Sequence, residues 1–587
     1  MRKLPFALLP ALLLASCSFS FGIDTSSSTP APAPSSSSSS EPASSSSAEP
    51  SSEPASSSIE SETSSEASAE PSSEPSIEPS SEVSSSEASS TQSSIEEETL
   101  EKTIISQTYS DYGANQVFEV DYSPSIGETH LLVIPVWFTD SSTFITSDAK
   151  KQNVRDDIEK AYFGTKEDAG WHSVKTYYEE ESKGMLTVDG VVSDWYSVNK
   201  SYTVYGSQQE SVDALVESAT EWYFSLPSAK SRSYFDCDGN GYLDGVMLIY
   251  GAPDYGALQN ESYSNLWAYC YWLQDYGLKN PANPGPNVYF WASYAFLYSG
   301  WRANERAGSW YGSGDNSHSF LDTHTFIHEM GHVFGLDDYY DYYDQENTPA
   351  GGFSMQDYNV GGHDPYSVMA LGWADPYIPY DDCTITLHPF QNSHELILLT
   401  PQWNEHDSPF DEYLLLEFYT PTGLHKLDCD YSYSGYYPKG PSEVGIRLWH
   451  IDARLTTCES VDARGEPIFS ESFTTNAQES SLYGVYHAFN NNSGGDRLTP
   501  MGNKFVSHDL LHLIRNNEEM GLKTKKFFSN DDLFRDGDVF SLSTHKSQFP
   551  NGQRLRMNSG EPFGWSFNVS IEGKGDSLVA NVDCYIE

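Results

Sequence analysis

Residues 322–338 read Asp322-Thr323-His324-Thr325-Phe326-Ile327-His328-Glu329-Met330-Gly331-His332-Val333-Phe334-Gly335-Leu336-Asp337-Asp338. Apolar Phe326, Met330 and Val333 recur at helical spacing, so the stretch predicts a helix from Asp322 to Phe334. Asp322 is placed to cap it and Gly335 to end it. Two histidines four apart on a helix lie on one face, about one turn from each other, so both imidazoles can reach one metal ion. Glu329 sits beside that face, within reach of a water on the metal. This is the arrangement of a zinc hydrolase with an open coordination position. The competing reading is an ordinary helix whose histidines are satisfied elsewhere. His324 extends the series, but it stands about 12 Å from His332 along the axis, too far for all three to bind one ion. It is expected to be structural or to support a ligand.

The third ligand is sought after Gly335, where glycine tolerates the positive φ of a sharp turn. Asp338 occupies the third-ligand position of the extended metzincin pattern, with a carboxylate in place of the usual histidine. Asp337 and Asp341 are near enough to compete. Metzincins also carry a methionine turn beneath the metal. Met355, after the Gly351-Gly352 pair, is the preferred candidate, with Met369 the other; either could simply be core.

Beyond the helix motif, Leu336-Asp337-Asp338-Tyr339-Tyr340, the Met355 turn running into Asp357-Tyr358-Asn359, and Leu371-Gly372-Trp373 resemble the immune inhibitor A type of secreted bacterial metallopeptidases. Ser173-Val174-Lys175-Thr176-Tyr177-Tyr178 through Gly184-Met185-Leu186-Thr187-Val188 is similar to that family's early helix and strand. Gly445-Ile446-Arg447-Leu448-Trp449-His450-Ile451-Asp452-Ala453-Arg454 is similar to a later segment. The resemblance runs from about Leu131 to Ala453. It implies a zinc-dependent peptidase acting on proteins outside the cell. In such a site zinc lowers the pKa of its bound water toward neutrality, and Glu329 accepts the proton as water attacks the scissile carbonyl. Glu329 then returns the proton to the leaving amine. Tyr358 and His363 are candidates to support the oxyanion. A tethered surface adhesin on an inactive zincin fold is the alternative in another class, and the retained Glu329 argues against it.

Outward from the helix, the amino terminus reads as an export signal. Arg2 and Lys3 precede an apolar stretch, Leu4 to Leu14, too short to span a bilayer. Leu14-Ala15-Ser16-Cys17 resembles a bacterial lipoprotein box, with cleavage after residue 16 and lipid on Cys17; a plain cleaved signal is the alternative. Residues 17–98 are almost entirely Ser, Glu, Pro and Ala, a composition that cannot offset its ordering entropy and is expected to be a disordered tether. About 80 such residues would span about 50 Å as a coil and up to about 250 Å as polyproline II. The expected location is the cell membrane, lipid-anchored and facing outward.

Residues 99–377 alternate strand and helix patterns. Strands are expected at His130 to Phe138, Met185 to Val188 and Tyr242 to Tyr250, and helices near Val154 to Phe163, Val174 to Glu181 and Ser211 to Phe224. Residues 378–587 hold short β-branched and aromatic runs separated by turns, including Thr384 to Leu387, Glu395 to Leu399, Tyr413 to Tyr419, Ile446 to Ile451, Phe567 to Ile571 and Leu578 to Val582. The expected class is α+β: a zincin-type catalytic domain with a mixed sheet and an active-site helix, followed by one or two β-sandwich modules.

Asp236, Asp238, Asn240 and Asp244 alternate around a Gly turn as oxygen ligands do in calcium loops. Met247 stands where an EF-hand has its bidentate Glu, so the other reading is an acidic turn without an ion. The net charge is -52, which argues against nucleic acid or anionic lipid as partners. Protein or peptide substrates are the expected partners, with membrane contact only through the lipid. Six cysteines besides Cys17 show no CxxC pairing; export permits disulfides, and no connectivity follows from the sequence. Nothing in the sequence sets an oligomeric state.

Overall fold

The computed structural model describes residues 100–114, 122–258, 260–273, 279–298, 321–341, 347–431, 438–461, 467–470, 472–479, 484–488, 490 and 509–587. The expected signal peptide, Cys17 and the tether lie outside the described residues.

The run Leu131-Leu132-Val133-Ile134-Pro135-Val136 is apolar without alternation, as a parallel strand covered on both faces requires. It forms the middle of β1, Gly127–Trp137. Around it stand β2 (Leu186–Val192), β3 (Tyr196–Ser197), β4 (Val246–Tyr250), β5 (Tyr269–Trp272) and β6 (Val288–Ser293). The sheet order is β2-β1-β4-β6-β5, with β3 paired to the end of β1. All pairs are parallel except β5 with β6. On one face Leu132, Ile134 and Val136 pack with Leu215, Val216 and Ala219 of helix Val212–Phe224. On the other, Leu131 and Val133 pack with Val154, Ile158, Tyr177, Tyr178 and the apolar stripe Phe326, Met330 and Val333. Helices on both faces of a mixed sheet thus fix the active-site helix against the sheet.

The active-site helix runs His324–Val333, shorter than the Asp322-to-Phe334 span its pattern suggested. Asp322 is not the cap: Thr323 holds that position and makes no side-chain cap bond. Asp322 still accepts from the His324 N–H at 3.2 Å. Gly335 ends the helix at φ +101°, and a Cβ there would meet the Tyr122 ring at 2.7 Å, so both conformation and space call for glycine.

The later strands are β7 (Cys383–Leu387), β8 (Leu396–Leu399), β9 (Glu412–Tyr419), β10 (Gly445–Asp452), β11 (Thr456–Val461), β12 (Pro467–Phe469), β13 (Val485–Tyr486), β14 (Leu511–Ile514), β15 (Val539–Ser541), β16 (Trp565–Glu572) and β17 (Val579–Ile586). They make one sheet of order β14-β10-β9-β8, a second of order β15-β16-β17-β7, and a small β12-β11-β13 sheet. The first two pack face to face: Ile397, Leu414, Leu416, Ile446 and Leu448 meet Ile385, Phe540, Phe567, Val569 and Val582. This is the expected β-sandwich. Strands β16 and β17 alternate buried and half-exposed residues, whereas β9 and β10 are buried throughout. The alternate residues of the inner sheet (Leu398, Tyr413, Leu415, Trp449 and Ile451) join the same core as the active-site helix. The change of composition near residue 377 is therefore not a gap in packing, and the described residues on both sides of it fall in one compact unit. Among the described residues no helix is long and apolar enough to cross a membrane.

Candidate metal centre

His328 and His332 face the same way one turn apart, their ring centroids 4.9 Å from each other. The turn at Gly335 brings Asp338 back beneath them. Asp338 Oδ1 lies 2.9 Å from His328 Nε2 and 3.4 Å from His332 Nε2. All three side chains are buried, and their ligand atoms lie within 4.8 Å of one another. Neither rival carboxylate, Asp337 or Asp341, joins this group, and Asp337 lies 3.5 Å from His487 Nε2.

Each imidazole is oriented by a backbone carbonyl. His328 Nδ1 donates to the Met355 carbonyl at 2.7 Å, and His332 Nδ1 to the Leu336 carbonyl at 2.7 Å. These bonds fix the tautomer and turn both Nε2 atoms toward Asp338, as metal-ligating histidines are held. The two Nε2 atoms are buried and make no aligned hydrogen bond, and both Glu329 carboxylate oxygens also lack one. Buried polar atoms are costly without a partner. The donor set, two neutral-capable imidazoles and a carboxylate, fits a zinc ion and leaves the Glu329 carboxylate beside it.

Electrostatics couple the ionisable groups of the cluster to one another. Burial raises Glu329 to about 7, with His332 and His328 opposing the shift, and the Cys270 amide on β5 is near enough to oppose it too. A carboxylate poised near neutrality suits a proton acceptor. Burial pulls His332 down, but the Asp338 charge outweighs it and lifts the imidazole to about 9. Asp338 is held below the usual carboxylate range: burial opposes this, and His332 and His328 prevail.

Met355, the preferred methionine-turn candidate, opens the short helix Met355–Tyr358 and is fully buried. Gln356 packs against the active-site helix so closely that a Cβ on Gly331 would come 2.2 Å from its Oε1. Arg447, from the inner sheet, donates to the Phe353 carbonyl at 2.9 Å while its Nε donates to Glu417 at 2.5 Å. A residue over ninety positions downstream thus holds the approach to the turn. No local pattern announces it; its sequence signal is its place in the Gly445-to-Arg454 segment.

His324 takes no part in the metal cluster. It stacks on Trp171 with ring centroids 4.3 Å apart. Its Nδ1 lies 2.9 Å from Asp322 Oδ1, and its Nε2 lies 3.3 Å from Asp428 Oδ2. The structure places His363 in another buried cluster, 3.5 Å from Glu181 and 3.4 Å from the Tyr177 hydroxyl. The Tyr358 ring lies against Tyr340 and Phe527. Neither His363 nor Tyr358 belongs to the His328–His332–Asp338 group. Met369 is core.

Asp236, Asp238 and Asp244 also converge within 4.8 Å. Their oxygens already accept backbone N–H groups: Asp236 from Gly241, Asp238 from Asn240, and Asp244 from His130 and Cys237. Asn240 accepts from the Tyr242 N–H and donates to Asp238 within the turn. The turn is held by its own bonds, and we assign no calcium to it.

The family model of the immune inhibitor A peptidase M6 catalytic domain matches residues 139–231. That segment carries helices Asp148–Phe163 and Val174–Glu181 and strand β2, which line the core beneath the active-site helix. It ends before the metal cluster, so the site residues rest on geometry. No curated protein sequence matches the chain.

Proposed function

We propose that this chain is a zinc-dependent endopeptidase of the immune inhibitor A type, in which Glu329 is the general base; the family match over residues 139–231 supports the peptidase reading. The observation that carries the reading is the convergence of His328, His332 and Asp338, each imidazole turned by a backbone carbonyl, beside a buried carboxylate. Zinc held by these three residues would supply a Lewis acid that activates water and polarises the scissile carbonyl. Glu329 takes the proton of the attacking water and delivers it to the leaving amine nitrogen. Met355 and Leu336 act through the ligands, by holding Nδ1 of each imidazole.

Substrates are proteins or peptides, as for a peptidase. We further propose, from Leu14-Ala15-Ser16-Cys17 and the tether composition, that the enzyme is exported and held at the outer face of the membrane by lipid on Cys17. The central test is Glu329→Gln. It should retain stoichiometric zinc by atomic absorption and lose casein-cleaving activity by at least about 100-fold, the usual contribution of general acid–base catalysis. Turnover near that of the unaltered enzyme would remove Glu329 from the mechanism.

A further inference from the structure

Two cysteines from opposite ends of the β-rich half meet on neighbouring strands. Cys383 opens β7 and Cys584 lies near the end of β17, and the two are direct cross-strand partners in the antiparallel register. Their side chains share a face of the sheet, because Cys383 alternates with Ile385 and Leu387 and Cys584 with Val582 and Ala580, all in the sandwich core. Directly opposed residues have Cβ atoms about 4.5–5.5 Å apart, close to the separation a disulfide spans. Among the other cysteines whose side chains are described, Cys237 is exposed in the acidic turn, Cys270 is buried in the core around the His328 helix, and Cys429 contacts the Tyr419 hydroxyl at 3.1 Å.

We propose that Cys383 and Cys584 are the site of a structural disulfide that fastens the last strand of the chain to the first strand of the sandwich. Cys383 is partly exposed and Cys584 fully buried, which sets the order of events. The Cys383 thiolate attacks one sulfur of an external disulfide oxidant, such as oxidised glutathione or a thiol-oxidase protein, and one oxidant thiolate leaves. Cys584 gives up its proton and attacks Cys383 Sγ, expelling the second oxidant thiolate. Two protein thiols are oxidised by two electrons, and one oxidant disulfide is reduced to two thiols. The contact with Cys584 lowers the Cys383 pKa, which favours Cys383 as the attacking group. The bond would enclose everything between positions 383 and 584, and cross-links over long loops constrain the unfolded chain most. β7 is the edge strand of its sheet and pairs with β17 along five register positions, so the cross-link fastens an existing seam.

The test uses the full-length protein recovered from the exported fraction, denatured without reductant, alkylated with iodoacetamide and digested. A linked peptide containing Cys383 and Cys584 is expected, with neither residue alkylated. Alkylation of both, or linkage of either to a different cysteine, overturns the proposal. Cys383→Ser should leave Cys584 alkylated and lower the unfolding temperature by several degrees. Mild reduction of the unaltered protein should lower it to the same value. An unfolding temperature unchanged by reduction would show that the bond fastens nothing.

Discussion

His324 offers a quantitative test because it is a buried cation that the metal cluster does not use. Burial lowers its pKa, but the Asp428 charge and the hydrogen bonds to Asp322 and Asp428 overcome this, lifting it from 6.5 to about 9. That difference corresponds to about 3 kcal/mol of folding free energy. The folded state binds this proton more tightly than the unfolded chain, so the contribution is complete below pH 6.5. It fades as pH rises and is gone above about 9. His324→Phe removes the cation and leaves Asp322 and Asp428 buried without it. We expect the stability difference between the two proteins, read from urea midpoints in EDTA, to be about 3 kcal/mol larger at pH 6 than at pH 9.5. Trp171, stacked on the His324 ring, provides a local fluorescence signal. Zinc content at pH 7.5 should be unchanged in the variant. A difference that stays constant with pH would refute the ion-pair argument. Loss of zinc with little loss of stability would instead make His324 a ligand.

Asp338→Ala should lower zinc affinity by at least about 100-fold, more than the loss typical of a residue behind the ligands. Asp337→Ala should retain zinc, and the reverse pattern in a zinc titration would exchange their assignments. Gly331→Ala should destabilise the protein by about 1–3 kcal/mol through overpacking against Gln356. It should also weaken zinc binding, because the displaced turn carries the Met355 carbonyl; normal stability and affinity would show that the turn yields freely. Cys17→Ser should move the folded protein from the membrane pellet to the supernatant, and a variant still pelleting after a salt wash must have another anchor.

The parts of this molecule that could be read from its sequence are those whose physics is local. His328 and His332 share a face because of helical geometry alone, and Asp338 reaches them because Gly335 permits the turn three residues earlier. Strand β1 was visible as a continuous apolar run, and β16 and β17 as short β-branched segments whose alternation matches one buried face. The same locality explains the misplaced cap. Asp322 has the right side chain in the right place, yet its carboxylate is drawn to the His324 ring, and Thr323 begins the helix without a side-chain bond. Interactions over longer separations left no comparable trace. The Tyr413-to-Tyr419 run predicts a strand but not that both its faces are covered, which depends on where the catalytic core docks. The bond from Arg447 to the Phe353 carbonyl spans ninety-four positions, and the register opposing Cys383 to Cys584 spans more than twice as many. The proposed metal ligands therefore lie mostly within one turn of helix and its exit, while what holds that helix in place comes from distant parts of the described chain. A substitution at Arg447 or Gly331 should consequently disturb the zinc site without touching a ligand.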